Sequence, residues 1–340
     1  MNQSRQFFFS LAIFAGITTI HQLAFAQATS TIIAQSQAEI KLFLIWENDR
    51  AGYIDAAGKV IIPPQFERAR NFSNGLARVK VNDKFGYINT QGKMVIAPQY
   101  SNAEDFSEGL AMVRINSKVG YIDPAGKVVI SPRFDFGWNF SNGRARVSNN
   151  GKYGFIDKTG QLVVPTRYNQ AMDFSEGLAA VSIGNKVGYI NTSGQVVIPS
   201  QFDSGFGFSN GLAWVAQGEK FGGINQAGQM VIPSQFELAG DFFTGLARVK
   251  VGNKFGFIDP SGKMVISPQF DLAEDFHEEL AMVLVDNKVG YIDTTGKMVI
   301  SPQFDWGWDF ENGLARVKIG TKFGYINKNG EFVWEPRDLS

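Results

Sequence analysis

The sequence predicts an all-β protein of nine tandem antiparallel β-meander repeats, arranged in a propeller-like ring or, alternatively, in an open β superhelix. One observation is a period of 34 residues without insertions, which indicates a single supersecondary unit copied along the chain. Another is the combination of frequent glycine and proline with alternating apolar residues, which favours short strands over helices. The period is marked by nine glycines: Gly52, Gly86, Gly120, Gly154, Gly188, Gly222, Gly256, Gly290 and Gly324.

The second copy shows how the first half of a repeat is expected to fold. Residues 76–81 alternate small or apolar with polar side chains, which is typical of a strand. The pair Asn82-Asp83 is a two-residue turn signal, so residues 84–89 form a second strand that returns beside the first. In the next turn an Asx side chain can accept from the backbone two residues on, and Gly92 supplies a positive φ.

The second half of the repeat contains a third strand and a connector. Residues 93–96 are expected to form a more buried strand that ends at Pro98, because proline has no N–H to donate. The connector that follows has room for a short fourth strand and carries aromatic anchors such as Phe106. Because its apolar slots recur, the core is expected to form layer by layer. One slot is always phenylalanine: Phe72, Phe106, Phe140, Phe174, Phe208, Phe242, Phe276 and Phe310.

The ends of the array bear on whether the ring closes. The first strand begins at Leu42 and the last ends at Trp334, which gives nine meanders and eight connectors. No strand is left to close a ring by exchange between the termini, and nine blades exceed the usual four to eight, which favours an open stack. The first strand, however, is more apolar than its equivalents, and a closed ring would bury it. We therefore expect a closed or nearly closed ring with Leu42 and Trp334 as neighbours.

The segments outside the array have their own signatures. Arg5 precedes an apolar run and the small-x-small site Ala24-Phe25-Ala26, which indicates a secretory signal peptide. The run is too short to span a bilayer, so we expect a soluble product that is periplasmic or secreted, with no membrane span. The expected boundaries are a signal peptide at 1–26, a tether at 27–41, a single array at 42–336 and a tail at 337–340.

The composition limits the class of partner. Lysine plus arginine and aspartate plus glutamate both number 32, so the chain lacks the basic excess that nucleic acid or an anionic membrane surface demands. We expect no nucleic-acid partner. The chain has no cysteine, so burial rather than disulfide bonds must stabilise it.

The repeated phrases resemble those of the WG repeat family of bacteria. They are Lys-x-Gly-Tyr/Phe-Ile-Asp/Asn, Pro-Gln-Phe-Asp and Phe-Ser-Glu-Gly-Leu-Ala-x-Val, and they recur in phase from Leu42 to about Pro336. The family's tryptophan before glycine is replaced here by other residues, as at Phe85 and Val119. The resemblance implies a repeat module that is structural or binds partners, and it implies no catalytic residues.

Polar ladders in the repeats are explained more simply by structure than by calcium binding, for the Asx ladder, or by polyanion binding, for the basic ladder. The Asx ladder, which includes Asp55 and Asn89, offers one ligand per loop where calcium requires several, so turn capping is the expected role. The basic ladder, which includes Lys84 and Lys118, lies beside turns and is expected to be solvated and locally neutralised by acidic residues. Beyond the signal peptide the only histidine is His277. We therefore expect no catalytic residues, no cofactor and no metal.

Aromatic residues of the connectors are the best indication of a binding surface. Three connectors carry glycine flanked by rings, and Trp214 stands where other copies have arginine or methionine. Exposed tryptophan is over-represented at binding hot spots, and flat rings can stack on sugars. The alternative is packing between modules, with the glycine relieving the crowding. The candidate surface comprises Phe136, Trp138, Phe206, Trp214, Trp306 and Trp308.

These observations favour a non-enzymatic exported repeat protein that binds a protein partner or acts as a scaffold in the cell envelope or outside the cell. The alternative is a glycan-binding protein that uses the connector aromatics. A hydrolase is the least favoured class, because no acid–base constellation stands out among the repeat positions.

Overall fold

The computed structural model describes residues 41–337, and within them it shows 34 strands and no helix. The strands form nine small antiparallel sheets arranged in a ring, a nine-bladed β-propeller. The expected ring is confirmed and the open superhelix is wrong. The predicted signal peptide, residues 27–40 of the tether and residues 338–340 of the tail lie outside the described residues. The last strand includes Arg337, one residue past the predicted end of the array.

Each blade is a meander whose strands we name a to d, from the axis of the ring to its rim. Strand b spans Phe43–Glu47, Leu76–Val81, Ala111–Ile115, Arg144–Asn149, Leu178–Ile183, Leu212–Gln217, Ala247–Val251, Leu280–Val285 and Leu314–Ile319 in blades 1 to 9. Strand c spans Arg50–Ile54, Lys84–Asn89, Lys118–Ile122, Lys152–Ile156, Lys186–Asn191, Lys220–Asn225, Lys254–Ile258, Lys288–Asp293 and Lys322–Asn327. Strand d spans Val60–Phe66, Met94–Tyr100, Val128–Phe134, Leu162–Tyr168, Val196–Phe202, Met230–Phe236, Met264–Phe270, Met298–Phe304 and Phe332–Arg337.

Strand a is the short fourth strand for which the connectors have room. It spans Arg68–Ala69, Asn102–Ala103, Phe136–Ser141, Ser204–Gly205, Leu238–Ala239, Leu272–Ala273 and Trp306–Glu311 in blades 2, 3, 4, 6, 7, 8 and 9. In blade 5 it is reduced to a bridge between Ala171 and Val181. Blade 1 contains strands b, c and d, and no strand a among residues 41–337.

Strand a lies at the inner edge of the ring. The side chain of Asn71, which follows strand a of blade 2, donates a hydrogen bond of 2.9 Å to Glu311 in strand a of blade 9. These two blades flank blade 1, which separates them everywhere else. Contact between them is possible because neighbouring blades converge towards the axis and because blade 1 has no strand a there.

Strand d is longer than expected and contains a bulge. The prediction that pairing ends before Pro98 is wrong, because strand d continues to Tyr100. Proline is tolerated here because strand d is the rim edge, where the missing N–H faces no partner strand. Strand c pairs Phe85 with Tyr100 and Tyr87 with Ile96, so strand d uses two extra residues to cover the same length.

The periodic glycines make room for this bulge. A Cβ on Gly188 would lie 2.6 Å from the carbonyl oxygen of Ile198 and 2.8 Å from the backbone nitrogen of Ser200. In all nine copies the nearest backbone atom would be 2.4 to 2.7 Å away, which is shorter than real Cβ contacts. Only a hydrogen atom fits between strand c and the bulge, and this explains why glycine marks the repeat.

Most blade junctions are built around an aromatic pair. The ring of Tyr87 in strand c packs on Phe106 of the next blade, with centroids 4.9 Å apart. Its hydroxyl donates to the carbonyl oxygen of Glu104 at 2.6 Å, which fixes the position of the next strand a. The same packing recurs as Tyr53–Phe72, Tyr121–Phe140, Phe155–Phe174, Tyr189–Phe208, Phe257–Phe276 and Tyr291–Phe310.

Blade 9 meets blade 1 through the same interaction made by different residues. The hydroxyl of Tyr325 donates to the carbonyl oxygen of Leu44 at 2.7 Å, and its ring packs on Phe43 at 5.8 Å. Phe43 stands in a slot that is alanine in the other eight blades, so it supplies the ring that a connector phenylalanine supplies elsewhere. Trp334 lies in one buried cluster with Phe43, as the prediction of neighbouring ends requires.

We expect Gly188→Ala to lower the free energy of unfolding by roughly 2–4 kcal/mol, because the new Cβ overlaps the backbone of strand d. The matched control is Gly207→Ala, whose Cβ would meet Ser175 at an ordinary 3.5 Å and which should change stability by less than about 1 kcal/mol. Thermal and urea unfolding followed by circular dichroism make the comparison. Equal losses in the two variants would contradict this explanation of the glycine.

Candidate functional site

Five of the six predicted aromatic residues lie on strand a or directly beside it, at the inner edge of the ring. Phe136 is 57% exposed, and Phe206, Trp306 and Trp308 are 38–39% exposed, whereas Trp138 is half-buried. Phe136 and Trp138 of blade 4 lie together, with ring centroids 6.5 Å apart. Phe206 belongs to blade 6 and the other two rings to blade 9, so the structure does not gather the five into one cluster.

The structure corrects the prediction for Trp214, which is 3% exposed and belongs to the core. It pairs across strands b and c with Gly223, which stands where most blades have tyrosine or phenylalanine. The indole ring fills the vacated space and stacks on Phe242 at 5.8 Å. Its Nε1 donates to the carbonyl oxygen of Gly240 at 2.6 Å, the bond that a tyrosine hydroxyl makes elsewhere. Trp214 therefore replaces the junction tyrosine and is not part of a free surface.

The glycines between the connector aromatics relieve crowding at the blade junction. A Cβ on Gly137 would lie 2.7 Å from both the hydroxyl of Tyr121 and Cγ1 of Val119. Gly205 and Gly307 face a tyrosine and a valine in the same way. Each of these glycines follows a blade that carries valine before the periodic glycine, whereas the other connectors have alanine. The glycine thus leaves room for a β-branched neighbour and does not by itself indicate a ligand.

Phe136 and Trp138 line a cleft of about 340 Å³ between the inner edges of blades 3, 4 and 5, which we call the aromatic cleft. The guanidinium of Arg114 lies 5.5 Å from the ring centre of Phe136, and that of Arg146 lies 4.1 Å from the ring centre of Trp138. Glu104 and Asp173 complete the charged part of the wall. A second cleft of about 230 Å³ between blades 2 and 3 shares Glu104, so the two are continuous along the inner edge.

Ion pairs between blades shape the walls of these clefts, and they were not predicted from the sequence. The guanidinium of Arg78 in strand b lies 3.1 Å from Glu104 and 3.4 Å from Asp105 of the next blade. Arg146 pairs with Asp173 at 3.1 Å in the same way. In each pair the aspartate follows the arginine by 27 residues. That recurring offset was available in the sequence, but it crosses from one repeat to the next.

The third such pair lies in a concentration of negative charge near the axis. Arg248 pairs with Asp275 at 3.1 Å and also with Glu274. The pKa of Asp275 is raised to about 6, mainly by burial; Arg248 opposes this effect, and Asp241, Glu274 and Asp309 add smaller upward contributions. Burial likewise raises the pKa of Asp173 against the effect of Arg146. These carboxylates are therefore held closer to neutrality than those at the turns.

The polar ladders have the structural roles expected of them. Oδ1 of Asp55 accepts from the backbone N–H groups of Ala57 and Lys59 at 2.9 Å each, which is turn capping. The basic ladder is neutralised mainly by an acidic residue between strand d and the next strand a. The pairs are Lys118–Asp135, Lys186–Asp203, Lys220–Glu237, Lys254–Asp271 and Lys288–Asp305.

His277 contacts residues of the two neighbouring blades. Nε2 of His277 lies 3.5 Å from a carboxylate oxygen of Asp309, and its ring packs on Phe243.

Within residues 41–337 no three His, Cys, Asp or Glu side chains are placed to share a metal ion. In the same part of the chain there is no helix with the length and apolar character that crossing a membrane needs.

The family of the chain follows from its repeats. A family model for the WG containing repeat matches residues 52–85, 85–118, 120–153, 153–186, 188–221, 221–255, 255–288 and 290–322. The chain belongs to the WG repeat family. The eight matched segments start in strand c of one blade and run into the next blade, so they extend over all nine blades of this WG repeat protein.

The chain was also compared in fold with solved structures, all at low sequence identity. The chain is similar to a structure described as the crystal structure of the eukaryotic initiation factor, with a TM-score of 0.64, 14% identity and coverage of 88% of this chain and 97% of that one. It is also similar to BamB from Moraxella catarrhalis, with a TM-score of 0.41, 10% identity and coverage of 78% and 95%. The first likeness shows a shared fold alone. No curated protein matches the sequence of this chain.

The raised pKa of Asp275 has a consequence for stability. The folded state binds this proton more tightly than the unfolded chain does, so protonation of Asp275 stabilises the fold. This contribution to the free energy of unfolding is complete below the ordinary pKa of 3.8 and is lost as the pH rises through about 6. Asp275→Asn cannot ionise. Relative to wild type it should gain about 1–2 kcal/mol between about pH 4 and pH 7.5, after allowance for solvent screening.

Asp271→Asn is the matched control of opposite sign. The hydrogen bond from Lys254 lowers the pKa of Asp271, so this variant should lose stability relative to wild type as the pH rises to the ordinary pKa of 3.8, with little further change above it. Urea unfolding at a series of pH values measures both. A constant difference between Asp275→Asn and wild type across this range would contradict the assignment.

Proposed function

We propose that this WG repeat propeller is a non-enzymatic interaction module that binds a protein partner through the aromatic cleft. The observation that carries the proposal is the exposed ring of Phe136 beside Trp138 in a cleft of about 340 Å³. Hot spots of protein interfaces are enriched in such rings, set in pockets and surrounded by polar groups. The neighbouring Arg114 and Asp173 give this cleft charges of both signs with which to orient a partner.

Preorganisation supports the same proposal. Trp138 packs against Tyr153 with centroids 5.6 Å apart and against Arg146, which is itself held by Asp173. Because the ring is already fixed by its own blade, little side-chain entropy is lost when a partner binds. An apolar side chain of the partner would insert beside Phe136, while its polar groups meet the charged wall.

We further propose that the protein is exported and that its partner lies in the cell envelope or outside the cell. Support comes from the apolar run and the small-x-small site before residue 27 in the sequence. The residues repeated in every blade would then hold a rigid inner edge, and the residues that vary between blades would select the partner.

Site-specific photo-crosslinking tests the cleft directly. A benzoylphenylalanine at position 136 should crosslink one protein from envelope extracts, whereas the same probe at the exposed rim residue Val129 should not. With that protein purified, Phe136→Ala should weaken binding by about thirty-fold, as expected for a hot spot. Phe206→Ala, an equally simple truncation in blade 6, should leave the affinity unchanged. Equal losses in the two variants would contradict the assignment of the cleft.

Glycan binding is the second candidate, and the exposed rings of Trp306 and Trp308 in blade 9 favour it. If these rings stack on sugars, cell-wall polysaccharide should protect tryptophan fluorescence from acrylamide quenching in a saturable way. Trp306→Ala with Trp308→Ala should abolish that protection, and Phe136→Ala should preserve it. Quenching that is unaffected by polysaccharide would exclude the glycan alternative.

A further inference from the structure

Within the part of the chain that the structure describes, the inner edge of blade 1 has no strand of the kind that covers this edge in the other blades. In blade 2 the carbonyl oxygens of Arg78 and Lys80 accept from the backbone N–H groups of Arg70 and Glu67, each at 3.1 Å. The equivalent positions in blade 1 are Leu44 and Trp46, and no strand within residues 41–337 pairs with that side of Phe43–Glu47. An uncovered strand edge of this kind can be extended by another strand.

The junction also contains an arginine that has no carboxylate partner among the residues that the structure describes. Arg316 occupies in blade 9 the position of Arg78, Arg146 and Arg248, each of which pairs with a carboxylate beside strand a of the next blade. For Arg316 the next blade is blade 1. Its guanidinium lies over the rings of Phe323 and Trp308, at 4.3 and 5.1 Å from their centres. No carboxylate within residues 41–337 lies at ion-pair distance from it.

The rest of the junction is already complete. Phe43 supplies the ring of the aromatic pair, and Tyr325 donates to the carbonyl oxygen of Leu44. A carbonyl oxygen has a second lone pair, so Leu44 can still accept from an added strand. Among residues 41–337 the junction therefore lacks a length of extended backbone and a carboxylate, but not an aromatic anchor. The exposed side chains of Asn71 and Glu311 bridge the axis side of the gap and would have to separate.

We propose that the inner edge of blade 1 binds an extended acidic segment of a partner protein, which adds as the fourth strand and places a carboxylate on Arg316. The other junctions define the sequence it should carry. The segments that pair with Arg78 and Arg248 are both Ala-Glu-Asp-Phe, and the one that pairs with Arg146 is Ala-Met-Asp-Phe. Main-chain bonds would give the affinity, and the charge-assisted bond to Arg316 would give the selectivity. This site is separate from the aromatic cleft and does not depend on the function proposed for it.

A capped peptide with the sequence of residues 270–276, Phe-Asp-Leu-Ala-Glu-Asp-Phe, is a suitable probe for the full-length chain. We expect saturable binding by calorimetry that weakens about ten-fold or more when Gln and Asn replace its Glu and Asp residues. N-methylation of alternate peptide bonds should abolish binding, because it removes the donors to strand b. Arg316→Gln should weaken binding by a similar factor, and Glu311→Gln should strengthen it by removing a like charge.

Two control variants separate this proposal from the others. Arg50→Gln removes a positive charge from the exposed turn of the same blade, and Phe136→Ala alters the aromatic cleft; neither should change the affinity for the peptide. Absence of saturable binding, or equal binding to Arg316→Gln and wild type, would overturn the proposal. Binding that requires removal of residues 1–40 would identify this chain's own N-terminal segment as the occupant and would also overturn it.

Discussion

The aromatic contact at each blade junction is the interaction on which the rest of the structure depends. A ring in strand c packs on the connector phenylalanine of the next blade, and in the tyrosine copies the hydroxyl also donates to a backbone carbonyl oxygen of the next blade, as Tyr87 does to Glu104. Where the sequence departs from this arrangement, another residue restores it. Trp214 replaces a missing tyrosine in blade 6, and Phe43 replaces a missing connector phenylalanine in blade 1. The ring closes because its last junction is made of the same contact as the others.

The sequence predicted the repeat, the strands and the ring because these follow from local patterns. Period-two alternation identifies strands, turn residues separate them, and the apolar character of residues 43–46 indicates a buried first strand. Other features could not be read from a single repeat. Pro98 lies inside a strand because that strand is an edge, and the role of Trp214 depends on Gly223 in a different strand. The arginine–carboxylate pairs join residues of two blades, so only a comparison across repeats reveals them.

Exposure could be predicted for most of the six aromatic residues of the candidate surface, but not for Trp214, which is buried. The exposed rings do lie at the inner edge, but they occur in three separate blades, and the glycines beside them are explained by neighbours such as Val119 and Tyr121. Packing thus determines the glycine positions, whereas the rings on either side of them are free to differ between blades. The residues of strand a that differ between blades therefore project from a scaffold that the junctions hold in place, which is why the proposed partner specificity is assigned to them.

Closure of the ring between blades 9 and 1 is the central claim, and a distance measurement tests it most directly. The chain has no cysteine, so spin labels can be attached at Glu47→Cys and Arg337→Cys, two positions whose native side chains form an ion pair of 3.4 Å. A control pair uses Glu47→Cys with Gln217→Cys, the equivalent position in blade 6 on the far side of the ring. Closure requires a short, narrow distance distribution for the first pair and a long one for the control. A separation of the first pair comparable to the full length of the particle would contradict the closed ring.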